Sequence, residues 1–269
     1  MSQLDIQNLS FSYGDALILD RLTLSIESGE CLVLLGPSGS GKSTLLRLLA
    51  GLESADSGHI AHQGQLITGA SRDRSVVFQD YSLFPWMSLL ENVRLAVSKA
   101  HPSLNRRQQK QKAQALLDEV GLTDAQHQYP FEVSGGMQQR AAIARALALE
   151  ASLLLLDEPF GALDPVNRIR LQDLLNQVRQ QQDKAFSTIF VTHDLDEALW
   201  LGDRIAVLGA SPGHLISVHS VPQKQERTDR DHFRHLADVQ TLRLQIEEAL
   251  ATDVLRRLKV EEVTSNVST

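Results

Sequence analysis

Gly36-Pro37-Ser38-Gly39-Ser40-Gly41-Lys42-Ser43 is the stretch on which the fold turns. Before it stands the continuous apolar run Cys31-Leu32-Val33-Leu34-Leu35, suited to a strand buried on both faces. After it come Thr44 and the run LLRLLAGL, a helix that Gly51 is placed to end. Strand, glycine-rich loop and helix together match the pattern GxxxxGK[ST] in its full context. The glycines let the backbone curl so that successive N–H groups point inward at phosphate oxygens. The helix opening near Lys42 adds its positive end. Lys42 is then placed to reach the β and γ phosphates, and Ser43 to offer a hydroxyl to Mg²⁺.

Around this loop the chain alternates strands and helices, which argues for an α/β core. Residues 3–8 and 22–26 alternate apolar and polar side chains, as strands covering one face do, with Tyr13-Gly14-Asp15 as a turn between them. Residues 74–79 read as a short strand, and Leu89 to about Ala148 as mostly helical, with an amphipathic stretch over 107–120 ending at Gly121 and a helix over 137–149. Residues 152–156 form a buried strand ending in Asp157-Glu158-Pro159, followed by a helix from Arg168 to Gln182. Residues 187–191 are a strand ending at Thr192-His193-Asp194. A helix over Leu195–Leu201, a strand over Arg204–Leu208 and a turn at Ser211-Pro212-Gly213 follow. After Val221 the composition shifts. Residues 222–235 are nearly all polar, 236–259 suggest one or two amphipathic helices, and the last nine, EEVTSNVST, read as frayed.

The composition narrows the function classes. The chain has 269 residues and a formal net charge of -7, with 42% hydrophobic and 22% charged residues. One cysteine rules out an internal disulfide framework and a cysteine-rich zinc site, and fits a reducing compartment. No stretch is long and apolar enough to cross a bilayer; the greasiest, Ala141 to Leu156, is broken by Arg145 and Glu150. The opening MSQLDIQNLSFSYG lacks the basic region and apolar run of a signal peptide. Overall acidity argues against a dedicated nucleic-acid binder.

Three further positions stand where α/β sheets gather ligands, at the C-terminal ends of strands. Asp157 can hold Mg²⁺, often through water. Glu158, one residue on, points to the opposite side if the backbone stays extended, and could orient or deprotonate a water. A solvated loop after a strand is the plainer reading of the pair. His193 reads either as part of a helix start or as a γ-phosphate contact and partner of Glu158; Thr192 and Asp194 are good capping residues. Gln79 ends a strand, and its amide could equally reach Mg²⁺, reach the attacking water, or do neither.

Between the phosphate loop and Asp157 stands Val133-Ser134-Gly135-Gly136-Met137-Gln138-Gln139-Arg140. This stretch resembles the signature motif of the ATP-binding cassette (ABC) ATPases, and seven further motifs stand with it in that family's order. Tyr13 resembles the aromatic that stacks on adenine, Gly36 to Thr44 the Walker A loop, and Gln79 the Q-loop glutamine. Leu153 to Asp157 resembles the Walker B strand, Glu158 the catalytic glutamate, Gly161-Ala162-Leu163-Asp164 the D-loop, and His193 the switch histidine. The resemblance covers about residues 2–220. Two positions depart from the usual signature, Val133 for Leu and Met137 for Gln; the anion-facing donors of Ser134, Gly135 and Gly136 are kept. Met137 also resembles the nitrate, sulfonate and taurine branch of importers. The same holds for the segment Ser75 to Trp86, for DEPFGALD at 157–164, for His193 to Ala198 and for Ser211-Pro212-Gly213.

The resemblance implies a P-loop NTPase cassette over 1–221, with a RecA-like core, an antiparallel β subdomain and a helical signature subdomain at about 89–148. A short, mostly helical extension over 222–269 follows. It implies ATP and Mg²⁺ as cofactors. ATP would be held by Tyr13, Gly36, Pro37, Ser38, Gly39, Ser40, Gly41, Lys42, Ser43 and Thr44, and by Ser134, Gly135, Gly136, Gln138 and Asp164. The metal would be held by Ser43, Gln79 and Asp157, and turnover carried by Glu158, His193, Gln79 and Lys42. Ser134 opens a helix and so makes a second anion-binding terminus. In the family that terminus covers the γ-phosphate held by another subunit, in a head-to-tail dimer of identical or paralogous chains. The implied partners are membrane permease subunits and, indirectly, a substrate-binding protein; no nucleic acid is expected. The implied place is the cytoplasmic face of the inner or plasma membrane. The uncharged segment Tyr81 to Leu90 is core by default, and by resemblance partly the groove that receives a coupling helix. The expected function is the ATPase subunit of an importer of a small anionic or zwitterionic solute: nitrate, nitrite, cyanate, aliphatic sulfonate or taurine. A soluble non-transport ATPase, an exporter subunit and a regulatory ATP-binding subunit with little turnover are the alternatives. The short interval from Gln79 to Ser134 leaves no room for the coiled coil of repair types, and the expectation is a cassette without the fused membrane domain that exporters often carry.

Overall fold

The computed structural model describes residues 2–161, 163–181, 186–210, 212–222, 227 and 229–267, with side chains to 256 apart from those of 180 and 181. Ala162 and Ser211, singled out above, lie outside the described residues. The chain divides into two compact units, one of residues 1–68 and 190–269 and one of 69–189.

The first unit begins with a long hairpin, β1 (Ser2–Tyr13) and β2 (Ala16–Glu27), turning at Gly14 and Asp15. Both strands are longer than the alternation in 3–8 and 22–26 suggests. Register shifts between Ile6 and Leu9 and between Leu9 and Phe11 break the period-two pattern while pairing continues. Next come β3 (Cys31–Leu35), α1 (Lys42–Ala50), β4 (Ser57–His62) and β5 (Gln65–Leu66). An antiparallel sheet in the order β2-β1-β4-β5 results, the antiparallel β element that the family resemblance implies. Every residue of β3 is buried, as expected for a strand covered on both faces.

The second unit starts with β6 (Arg74–Val77), two residues shorter than expected, so that Gln79 lies in the turn beyond it. Three helices follow, α2 (Leu89–Ala100), α3 (Arg106–Glu119) and α4 (Gly135–Leu147). Ser88 and Asn105 open α2 and α3 with complete capping boxes, completed by Glu91 and Gln108. The three helices share one core, in which Leu89, Val93, Val97, Ala113, Leu117, Ala141 and Ala144 are buried, with Val133 and Met137 packed against it. Then β7 (Leu153–Asp157), wholly buried, pairs in parallel with β6, and α5 (Pro165–Gln181) follows.

The boundary between units falls inside β8 (Ser187–Thr192). The first unit resumes with α6 (Leu195–Leu201), β9 (Arg204–Gly209) and β10 (His214–Ser220). Its second sheet has the order β10-β9-β3-β8, with β9 parallel to β3 and β10 antiparallel to β9; in the second unit the order is β8-β7-β6. A short α7 (Arg230–His235) leads into α8 (Ala237–Val267), one continuous helix. The terminal residues expected to fray are therefore helical as far as Val267. The side of α8 carrying Val239, Leu242 and Ile246 is buried.

Candidate functional site

In the first unit the phosphate loop runs from β3 into α1. Gly41 caps the helix with φ 77°, a conformation glycine adopts without strain. No side chain caps α1 and no acidic residue stands in its first turn, so no side-chain acid of the helix itself competes for its positive end. Lys42 is buried, and its Nζ donates to the carbonyls of Gly36 and Pro37, each at 2.8 Å, and lies 3.2 Å from Ser40 Oγ. Ser40 Oγ donates in turn to Pro37 O at 2.9 Å. Ser38, Gly39 and Ser43 are exposed at the mouth of the loop. The arrangement sets a buried ammonium beside a glycine-bearing loop at a helix start, which suits a polyphosphate.

The loop rests on two other elements of its unit. A Cβ on Gly41 would sit 2.5 Å from Leu19 Cδ2 on β2, so only glycine fits. A Cβ on Gly213, in the turn before β10, would sit 2.2 Å from Ser40 O. Gly213 bonds through its own N–H to Ile18 O (2.7 Å), and its carbonyl accepts from Asp20 N (2.9 Å). Tyr13 ends β1 on the same hairpin. It is 48% exposed and edge-on to Phe11 at 4.8 Å, which leaves a ring face open for stacking. His193 follows β8 and is exposed. Beside it Asp194 caps α6, accepting from Asp196 N and Glu197 N, while Thr192 Oγ donates to Glu197.

In the second unit Asp157 ends β7 and is buried. Glu158 takes φ 44°, a left-handed conformation that a non-glycine residue adopts at a cost. The expectation that it simply points opposite Asp157 on an extended backbone is therefore corrected: a turn, closed by Gly161 N donating to Glu158 O, sets its direction. The signature helix starts two residues earlier than expected. Ser134 is its N-cap, accepting from Met137 N at 3.3 Å, and Gly135 and Gly136 form its first turn. A Cβ on Gly136 would meet Leu163 Cδ2 at 2.8 Å, and one on Gly135 would meet Tyr81 Oη at 3.1 Å. The signature thus lies against the D-loop and against the segment after Gln79. Gln138 Nε2 donates to Val133 O at 3.4 Å. The Asp164 carboxylate caps α5, accepting from the N–H groups of Val166 and Asn167 and from the Asn167 side chain, and these bonds hold it below the usual carboxylate range.

Two residues that the sequence reading did not assign to the site organise the Gln79 segment. Tyr81 and Ser82 both have positive φ, 63° and 49°. Arg145 of the signature helix donates to Ser82 O at 2.6 Å and to Tyr81 O at 3.4 Å, and its guanidinium lies 5.7 Å from the Phe84 ring centroid. Burial lowers its pKa, and the charge of nearby Asp80 works against that shift. Fully buried Asn92 donates to Phe84 O, Met87 O and Ser88 O and accepts from Phe84 N. It folds 84–88 so that Trp86 stays 68% exposed while Leu89 and Leu90 enter the core. The uncharged segment is thus part core and part surface. Helical periodicity hides Asn92 and Arg145, because each bonds to carbonyls outside its own helix face.

A protein-family model described as ABC transporter matches residues 19–161. Curated relatives include the nitrate import ATP-binding protein NrtC of Synechococcus elongatus, 43% identical over 84% of this chain, which spans 34% of that protein's length. The aliphatic sulfonates import ATP-binding protein SsuB of Bacillus licheniformis is 43% identical over 78% of this chain and 81% of its own. The bicarbonate transport ATP-binding protein CmpD of Synechocystis is 40% identical over 86% of this chain and 82% of its own. Among solved structures, the dimeric post-hydrolysis state of the ATP-binding cassette MJ0796 bound to ADP and Pi superposes with a TM-score of 0.74. It is 29% identical, over 82% of this chain and 99% of that one.

Proposed function

The chain belongs to the ABC transporter family, and we propose from that premise that it is the ATP-hydrolysing subunit of an importer for a small anionic solute. The observation that carries the reading is the phosphate loop, an uncapped helix start with buried Lys42 held at its mouth. ATP bound there takes the loop N–H groups and Lys42 Nζ on its β and γ phosphates, and Tyr13 on its adenine. Glu158 orients or deprotonates the attacking water, and His193 contacts the γ-phosphate.

Ser43, Asp157 and Gln79 supply a hydroxyl, a carboxylate and an amide oxygen. This all-oxygen set suits Mg²⁺, which when bound neutralises charge on the phosphates. No cluster of three or more His, Cys, Asp or Glu able to hold a metal occurs among the described residues.

No described helix is long and apolar enough to cross a membrane. Relatives named as import ATP-binding proteins support transport through membrane permease subunits on the cytoplasmic side, served by a substrate-binding protein. Exposed Trp86, on the loop that Asn92 braces, is the proposed docking point. Ser134 with Gly135 and Gly136 covers the γ-phosphate of a partner ATPase subunit; that similar cassettes are dimeric supports a paired arrangement. Residues 1–221 are proposed as the cassette and 222–269 as its helical extension. Relatives named for nitrate, sulfonates and bicarbonate match at 40–43% identity, which supports a small anion without choosing among the three.

The test is ATP-dependent uptake in cells lacking the gene. Candidate anions, nitrate, an alkanesulfonate and bicarbonate, are assayed with wild-type protein and Lys42→Ala. Uptake of one of them that returns with wild type and not with Lys42→Ala supports the reading. Equal uptake with and without the protein for all three refutes it.

A further inference from the structure

The C-terminal helix reaches the back of the phosphate loop through two side chains. Asp253 on α8 is 8% exposed, and its Oδ1 lies 3.2 Å from His214 Nε2. The other ring nitrogen, His214 Nδ1, lies 3.0 Å from Pro212 O. The ring is thus held at both nitrogens, by a backbone carbonyl on one side and a carboxylate on the other. The ring and the carboxylate also lie over Gly209 at the end of β9. A Cβ there would sit 2.4 Å from His214 Cε1 and 2.7 Å from Asp253 Oδ2, so the pair fits only over glycine.

Pro212 and His214 flank Gly213, the residue whose backbone presses on Ser40. Gly213 is fixed to β2 by its bonds to Ile18 and Asp20, with Leu19 bridged to it in parallel. Ser40 is fully buried and touches both Pro37 and Lys42 Nζ. One line of contacts therefore runs from Asp253 through His214 and the 212–213 backbone to Ser40 and Lys42.

We propose that Asp253 and His214 are positioning residues for ATP binding: through them the C-terminal helix holds the Pro212–Gly213 turn against Ser40 and fixes the shape of the phosphate loop. This rests on the reading of that loop as the ATP site. It assigns residues 237–256 a role in nucleotide affinity rather than that of a terminal extension. The chemical step lies elsewhere, so the pair acts on binding and leaves turnover of bound ATP unchanged.

The experiment measures the Kd for ATP, KM and kcat of ATP hydrolysis, and Tm, on the full chain carrying Asp253→Ala, His214→Ala, both together, or Asp253→Asn. Each alanine variant is expected to raise Kd and KM about fivefold, the order set by losing one side-chain hydrogen bond, with kcat within about twofold. The double variant should lose no more than the larger single, since both break one chain of contacts. Asp253→Asn keeps both an acceptor and a donor in place of the carboxylate, so it can still pair with Nε2 and should stay within about twofold of wild type. Unchanged Kd in both single variants overturns the proposal, whatever happens to Tm; so does an additive double variant, or an Asp253→Asn loss as large as that of alanine. His214 is 40% exposed, so its variant reports even if Asp253→Ala fails to fold. Lys42→Ala is the control. If it binds ATP as wild type does, the reading of the loop itself falls. If it fails to bind while the His214 and Asp253 variants bind normally, only the present proposal falls.

Discussion

Replacing Arg145 by alanine should loosen the segment after Gln79 without unfolding the helical core. Arg145 makes a 2.6 Å bond to Ser82 O, a longer one to Tyr81 O, and a contact with the Phe84 ring. A hydrogen bond from a charged donor contributes ~1.5–3 kcal/mol, and an exposed cation–π contact ~0.5–1 kcal/mol. Two terms pull this down: Ser82 is exposed, so water can replace the donor, and the guanidinium regains hydration when released. We therefore expect ~2 kcal/mol, which favours the open segment by roughly 30-fold. The left-handed residues Tyr81 and Ser82 would relax first, since each stores strain that Arg145 helps to hold. Hydrogen exchange over 79–84 reads the effect directly. Exchange there should accelerate by about that factor, with α2 and α3 amides unchanged, and ATP hydrolysis should fall. Arg145→Lys should restore part of the protection, because a point charge cannot fork across two carbonyls. Unaltered exchange over 79–84 in Arg145→Ala would refute the reasoning.

Leu117→Ala removes a fully buried side chain from the helical core and should cost ~2–5 kcal/mol in chemical denaturation. Ser134→Ala loses an N-cap, a cost of ~1 kcal/mol, but should reduce ATP hydrolysis far more than that stability loss explains if Ser134 also faces a partner's phosphate. Partial burial works to raise the Glu150 carboxyl, while Lys112 and His101 outweigh it and hold the group below its ordinary 4.5. A lowered carboxylate stabilises fully above its unfolded value and loses that contribution as pH falls through the folded one. Thermal stability should thus drop more steeply below about pH 4.5 in wild type than in Glu150→Gln. Parallel pH profiles would count against the Lys112–Glu150–His101 cluster.

Much of the fold was legible because its strongest signals are local. The run Cys31–Leu35 reads as a doubly covered strand and is one, and Gly51 ends α1 in the left-handed conformation its position suggests. β4 and β10 were not read. β4 pairs through Ile60 and His62 amid exposed polar residues, and β10 is only half buried throughout, so neither has a clean alternation. Gly135 and Gly136 look like a turn in sequence, yet Ser134 caps a helix that includes both, so the signature helix begins two residues before the position its pattern suggests. Within the site, single residues at strand ends were readable from the sheet rule. The contacts of Arg145 and Asp253 join segments far apart in sequence, and those of Asn92 reach back to the loop before its helix, so no periodicity encodes them. Glu158 shows the limit of strand logic, since its positive φ appears only once the turn to Gly161 is seen.

The central claim is that two copies close on ATP and that Glu158 then drives hydrolysis. The most direct measurement compares wild type and Glu158→Gln by phosphate release and by size exclusion in Mg²⁺-ATP. The account predicts that Glu158→Gln binds ATP with wild-type affinity, elutes as a dimer and releases essentially no phosphate. Phosphate release near the wild-type rate from Glu158→Gln would contradict it.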